Sequence, residues 1–217
     1  MQRIGILGGT FDPPHLGHLI LAEYAADALG LTDLLFVPAG DPPHKQHEMK
    51  TPIDHRLAML RLATHDNASF RISRVDIDRA GPHYSLEMVR IIQRMYPEAE
   101  LFFVMGGDSF HDLPTWYQPE ELIRLCQLAV MRRPLDGIEA NMHEALLPAL
   151  AARTVMIDAP ILQISSSDIV ERIQTGRSVR YLVPDRVLDY IKTNRLYQNQ
   201  AIAHETTDTN WTDRARH

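Results

Sequence analysis

The sequence predicts an α/β fold, a doubly wound open parallel sheet with a small C-terminal helical subdomain, and three observations carry that reading. Short apolar runs alternate with longer segments of helical apolar spacing along most of the chain. The first run ends in a glycine pair that leads straight into a helical segment. The segments between successive runs are long enough, at about ten residues or more, to form right-handed crossovers between parallel strands.

Ile4 to Leu7 reads as the first strand, Gly8 and Gly9 as its turn, and Leu16 to Leu29 as the first helix. Leu34 to Val37 is the next strand, Pro52 to Thr64 a helix, Phe70 to Val75 a strand and Ser85 to Met95 a helix. Leu101 to Met105, Leu128 to Met131 and Thr154 to Ile157 supply three further strands. Two short helices follow, one opening at Ser165 to Ser167 and one after Pro184, because serine suits a helix cap and proline a first turn. They set the helical subdomain at about residues 164–197 of a single domain spanning 1–197. Residues 198–217 are polar and aperiodic and read as a loose tail.

The bulk composition narrows the function classes. With 217 residues, 45% of them hydrophobic, the chain can bury a sizeable core without staples. A net charge of -6 argues against a general nucleic-acid coat. The lone cysteine, Cys126, excludes an internal disulfide and lies in the apolar run Leu122 to Val130, where it reads as packing. Met1 to Leu7 runs directly into a strand pattern without a secretion signal, and no apolar stretch approaches the roughly 18 residues that span a bilayer. A cytoplasmic protein with no membrane partner is expected, and a homo-oligomer stays open.

Ligands of open parallel sheets bind beyond the carboxyl ends of the strands, where the loop Gly8 to His18 lies. Gly8 and Gly9 let backbone approach a phosphate chain, and the helix that follows presents unpaired amides to an anion. The loop is neither a P-loop, lacking Gly-Lys-Ser/Thr, nor a Gly-x-Gly-x-x-Gly fingerprint. It carries instead His15 and His18, three apart at a helix entrance, so that both rings face one side. They lack a Cys or Glu at zinc-protease spacing, so no protein-held metal is expected.

Gly9-Thr10-Phe11-Asp12-Pro13-Pro14-His15-Leu16-Gly17-His18 resembles the signature of the nucleotidyltransferase superfamily that contains the bacterial-type nicotinate mononucleotide adenylyltransferases. The likeness extends through 37–45, 78–85, 105–109, 113–117 and 176–184, so that it covers roughly Arg3 to Leu196. The resemblance implies a Rossmann-like nucleotidyltransferase fold and two small-molecule substrates, ATP and nicotinate mononucleotide. The acceptor's phosphate would attack the α-phosphorus of ATP, giving nicotinate adenine dinucleotide and pyrophosphate, with Mg²⁺ sharing the charge neutralisation.

The same resemblance implies roles for particular residues. His15, His18 and Lys45 would hold the ATP phosphates through charge-assisted bonds. Gly8, Gly9, Thr10, Phe11, Gly106, Asp108, Ser165 and Ser166 would bind the rest of ATP, with Asp108 on the adenosine ribose. Tyr84, Ser85, Trp116 and Tyr117 would take the acceptor, the aromatics stacking on its pyridine ring. Several of these have plainer readings: His15 and His18 as helix-start residues that cap or pack, Lys45 as an exposed lysine, Asp108 as a turn cap, Trp116 as core.

One position departs from the pattern. Where the family has Ile-Ser-Ser-Thr-x-Ile-Arg, this chain has Ile164-Ser165-Ser166-Ser167-Asp168-Ile169-Val170, without the arginine that would neutralise the triphosphate. Arg172 falls near the opposite helix face, which leaves Arg177 or Arg180 to compensate. Two other functions therefore stand beside the main one: the same chemistry on nicotinamide mononucleotide, and a catalytically impaired nucleotide-binding homologue.

Overall fold

The computed structural model describes residues 1–40, 50–132, 137–160 and 162–198. Six strands, β1 (Arg3–Gly9), β2 (Asp33–Pro38), β3 (Phe70–Ile72), β4 (Glu100–Gly106), β5 (Gln127–Arg132) and β6 (Thr154–Asp158), form one sheet in the order β3-β2-β1-β4-β5-β6. Every pairing is parallel. The sheet grows outward from β1 in one direction and from β4 in the other, so the strand order switches between these two neighbours, the place where such sheets open a crevice for ligands.

The helices follow from that reversal. Right-handed crossovers running in opposite directions along a sheet lie on opposite faces. Accordingly α1 (Leu16–Leu29) and α2 (Ile53–Thr64) serve the first half, α3 (Ser85–Met95) and α5 (Pro119–Leu125) the other face, with the single-turn α4 (Gly107–His111) after β4. Side chains alternate across the strands with period two. Ile4, Ile6, Leu35, Val37, Leu101, Phe103 and Met105 pack with Leu86, Val89, Ile92 and Leu122. Leu34, Phe36, Phe102 and Val104 pack with Ala22, Ala25 and Leu29.

The C-terminal helices α6 (Ser166–Gln174) and α7 (Asp185–Thr193) place Ile169, Val187, Leu188 and Ile191 in a third cluster that includes Met59 of α2. Ser165 caps α6, its Oγ accepting from the Asp168 amide at 3.1 Å, and Pro184 is the residue before α7, as the sequence predicts.

Three expectations change. The strand expected over Phe70 to Val75 ends at Ile72; Ser73 still donates its amide to Phe36 O at 2.9 Å, after which Arg74 O accepts from Ile77 and Asp78 and closes a turn. The helices α4 and α5 were not expected, because the apolar run Leu122 to Val130 is divided between the end of α5 and β5, with Cys126 at the joint. Between β5 and β6 the described residues contain turns and a single 3₁₀ turn, Ala151–Arg153, in place of a crossover helix. Leu147 and Leu150 from this segment still fill the core. Of the polar tail, all beyond Gln198 lies outside the described residues.

Candidate functional site

The carboxyl ends of β1 and β4 open into a cavity of about 960 Å³ at the strand-order switch. Its walls include Gly8, Gly9, Thr10 and His18 on one side and Tyr84, Ser85, Trp116 and Tyr117 on another, with Gly106 and Ser109 at the end of β4. The volume lies at the upper end of the roughly 300–1,000 Å³ typical of ligand sites, room for a dinucleotide.

The loop after β1 turns on Phe11, whose φ of 51° is left-handed and whose side chain is 1% exposed. A bulky residue in that region costs about 1–2 kcal/mol, offset here by ring contacts with Phe36 at 5.7 Å and His18 at 4.9 Å. Phe11 therefore forms a buried floor under the loop.

His15 is the residue before α1, in extended conformation, and its backbone N–H donates to His18 Nδ1 at 3.2 Å. That bond makes Nδ1 the acceptor, so a neutral His18 carries its proton on Nε2 as a donor. The two rings stack at 3.7 Å, and the buried Nδ1 of His15 has no hydrogen-bond partner. Burial holds His15 down to about 4, and burial together with the charge of His15 holds His18 down to about 3, so both are neutral at pH 7 in the free protein. The pair is thus neutral in the free protein, with His18 Nε2–H as its available donor. Gly17 makes the stack possible: a Cβ there would lie 3.0 Å from the His15 ring.

Residues that the sequence did not single out brace this loop. Arg56 of α2, 2% exposed, donates to Thr10 O and Ala39 O at 2.9 Å and to Thr51 O at 3.1 Å, joining the loops after β1 and β2. Asp12 accepts from the Thr51 amide at 2.8 Å and from the Tyr197 hydroxyl at 2.5 Å. Ser166 Oγ donates to Pro13 O at 2.9 Å, and the Leu16 amide to Leu182 O at 2.9 Å, so α6 and the segment after it also dock here.

The opposite wall is aromatic. Tyr84 precedes α3 and stacks on Tyr117 at 4.3 Å with rings 14° apart. Trp116 meets Phe103 edge-on at 5.8 Å and also lines the cavity, so it serves both core and site. Beside these rings Asp76, which also lines the cavity, pairs with Arg79 at 2.6 Å and accepts from the Gly40 amide at 3.1 Å, while Arg79 donates to Pro82 O and Tyr84 O. Asp76 and Arg79 lie among residues of a local turn, and only the fold shows that they hold the Tyr84 segment.

The cavity therefore unites most of the residues expected to bind substrates. His15, Phe11, Asp108, Ser165 and Ser166 fall outside its lining, with His15 buried behind His18, Asp108 in the first turn of α4 and Ser165 committed to capping α6. Lys45 lies outside the described residues. Val170 is half-buried on α6. Arg172 donates to Ser178 O at 3.0 Å and Arg177 pairs with Glu171 at 2.7 Å, whereas the exposed Arg180 makes no side-chain bond among the described residues. Among the described residues no group of three or more His, Cys, Asp or Glu could hold a metal ion, and no helix is long and apolar enough to cross a membrane.

Comparisons with known proteins agree with this geometry. The cytidylyltransferase-like family matches residues 6–172. Nicotinate-nucleotide adenylyltransferase of Bacillus subtilis is 40% identical over 92% of this chain and all of its own length. A Thermomicrobium roseum protein named "Probable nicotinate-nucleotide adenylyltransferase" is 48% identical over 91% of this chain and 92% of its own. The fold matches that of Plasmodium falciparum nicotinic acid mononucleotide adenylyltransferase complexed with NaAD, with a TM-score of 0.75 at 18% identity over 91% of this chain and 98% of that one. The chain belongs to the cytidylyltransferase-like family and, within it, to the nicotinate-nucleotide adenylyltransferases.

Proposed function

We propose that the chain transfers the adenylyl group of ATP to nicotinate mononucleotide, releasing pyrophosphate and forming nicotinate adenine dinucleotide in NAD biosynthesis. The observation that carries this is a single cavity at the β1/β4 switch with a phosphate-suited loop at one end and an aromatic pair at the other. The names of the relatives given above support the same reaction.

The acceptor's phosphate is already an anion and needs no protein nucleophile. One of its oxygens bonds to the α-phosphorus of ATP as the bond from that phosphorus to the bridging oxygen breaks, and pyrophosphate leaves with the electron pair. The one thiol supports direct transfer, since burial pushes Cys126 up to about 12 and it does not line the cavity. His18 donates Nε2–H to the phosphoryl oxygens, His15 backs it, and Gly8, Gly9 and Thr10 let the chain pass close. Phe11 acts as the floor of the loop, and Lys45, Ser165 and Ser166 as further triphosphate contacts. Gly106 and Asp108 serve the adenosine, and Tyr84, Ser85, Trp116 and Tyr117 the pyridine nucleotide.

The family implies a divalent cation accompanying ATP, and we take it to be Mg²⁺. With no protein cage for it among the described residues, it would arrive on the triphosphate as part of the substrate. It supplies charge neutralisation on the phosphates when bound. A single free buried cysteine fits a reducing cytoplasmic setting.

The test is product identification with ATP, Mg²⁺ and either nicotinate or nicotinamide mononucleotide. Dinucleotide from the acid at a higher kcat/KM than from the amide supports the proposal. Preference for the amide would reassign the acceptor, and no product from either would leave the binding-only reading, with Val170 the first substitution to revert to arginine.

A further inference from the structure

We infer that Tyr197, which follows α7, is a positioning residue for ATP: its hydroxyl holds the Asp12 carboxylate away from the triphosphate. The inference rests on the phosphate end of the cavity as assigned above. Asp12 is the difficulty that this loop must solve. A carboxylate three residues before His15, on the loop that receives a polyanion, repels the ligand unless its charge is turned aside and compensated.

The structure does both. The Tyr197 hydroxyl donates to Asp12 Oδ1 at 2.5 Å, across 185 positions of sequence, and the Thr51 amide donates to Oδ2 at 2.8 Å. Both carboxylate oxygens are thereby engaged. The buried Arg56 guanidinium supplies the compensating charge, and its own bonds to Thr10 O and Thr51 O tie together the two segments that flank Asp12.

The segment after α7 is built to deliver this hydroxyl. Arg195 and Tyr197 adopt left-handed φ values of 52° and 64°, unusual for bulky residues, while Leu196 and Tyr197 pack against the apolar cluster of α2, α6 and α7. Tyr197 Oη also lies 3.9 Å from Met59 Sδ, while the packing of Tyr197 on the apolar cluster stands apart from these hydroxyl contacts. Burial, then the Asp12 carboxylate, push the phenol well above its ordinary value, which keeps it a donor throughout the physiological range.

The experiment measures ATP binding to the full chain by calorimetry, in the presence of Mg²⁺ and without acceptor, for wild type, Tyr197→Phe, Asp12→Asn and the double variant. Phenylalanine keeps the ring and removes only the hydroxyl, so melting temperature checks that packing survives. Loss of a bond to a charged group predicts about tenfold weaker ATP binding in Tyr197→Phe, with acceptor KM in turnover assays within about twofold of wild type. Asp12→Asn, which has no charge to turn aside, should bind ATP within about threefold of wild type, and adding Tyr197→Phe to it should change binding less than about twofold.

Unchanged ATP affinity in Tyr197→Phe, or an equal loss in the Asp12→Asn background, would overturn the inference. So would a uniform loss of ATP and acceptor binding with a lowered melting temperature, the mark of a merely structural residue. If Tyr197→Phe fails to fold, weakened ATP binding in Asp12→Asn alone overturns it and retained binding supports it. Because the readout is ATP binding, failure to turn over either acceptor would count against the proposed reaction and leave this result standing; wild-type protein that binds no ATP would sink both.

Discussion

The two ends of the cavity are built differently. The phosphate end is buried and cross-braced: Thr51, Arg56, Tyr197, Ser166 and Leu182 all fasten the loop after β1 from other parts of the chain. The acceptor end is more open, with Tyr117 45% exposed and stacked on Tyr84 at 4.3 Å. A third ring cannot enter between two rings already in contact, so a pyridine either stacks on an outer face or parts them. The contrast assigns preorganisation to the end where charge develops, the arrangement that lowers a barrier by not reorganising during reaction. Adaptability falls to the aromatic end, the one proposed to take the acceptor.

The contrast can be broken at the rigid end first. His18→Ala removes a donor held in place by the His15 amide, and kcat should fall about 10²- to 10³-fold with the melting temperature nearly kept. Arg56→Met leaves Thr10 O, Ala39 O and Thr51 O without their donor and should cost about 2–4 kcal/mol of stability in urea unfolding. It should lower activity as well.

At the open end, Tyr117→Ala should raise the KM for the acceptor about tenfold while moving ATP KM less than about twofold, since only a stacking surface is lost. An equal effect on both substrates would erase the distinction between the ends.

Acid sharpens the comparison. Both histidines titrate below their ordinary value in the folded state, so between about pH 6.5 and 4 the unfolded chain binds more protons and stability falls as pH falls. The stability is fully present above pH 6.5; each histidine should contribute a slope of about 1.4 kcal/mol per pH unit within that window, His18 continuing toward about 3. Urea titrations at pH 7 and 5 should show it, reduced in His18→Ala. The smallest effect is expected from Gly17→Ala, whose Cβ would press on the His15 ring: kcat/KM down about three- to tenfold with stability within about 1 kcal/mol.

The sequence shows the phosphate loop because its chemistry is local: two glycines, two histidines three apart and a helix start lie within 11 residues, Gly8 to His18. The strands are legible for the same reason, since β2 and β4 are short continuous apolar runs, as strands covered on both faces must be. What braces the loop is not local. Arg56 sits in the first turn of α2 just after Asp54 and His55, and Tyr197 meets Asp12 only once the fold has brought the segment after α7 back to the loop after β1. A buried arginine on three carbonyls has no sequence pattern to announce it. Asp76 and Arg79 are hidden likewise, because their value lies in holding Gly40 and Tyr84 in place.

Titrating nicotinate adenine dinucleotide into the protein asks whether one cavity with unequal ends takes both halves of the proposed product. One molecule should bind per chain and be displaced by ATP and by nicotinate mononucleotide alike; displacement by ATP alone, or by neither, would contradict the account.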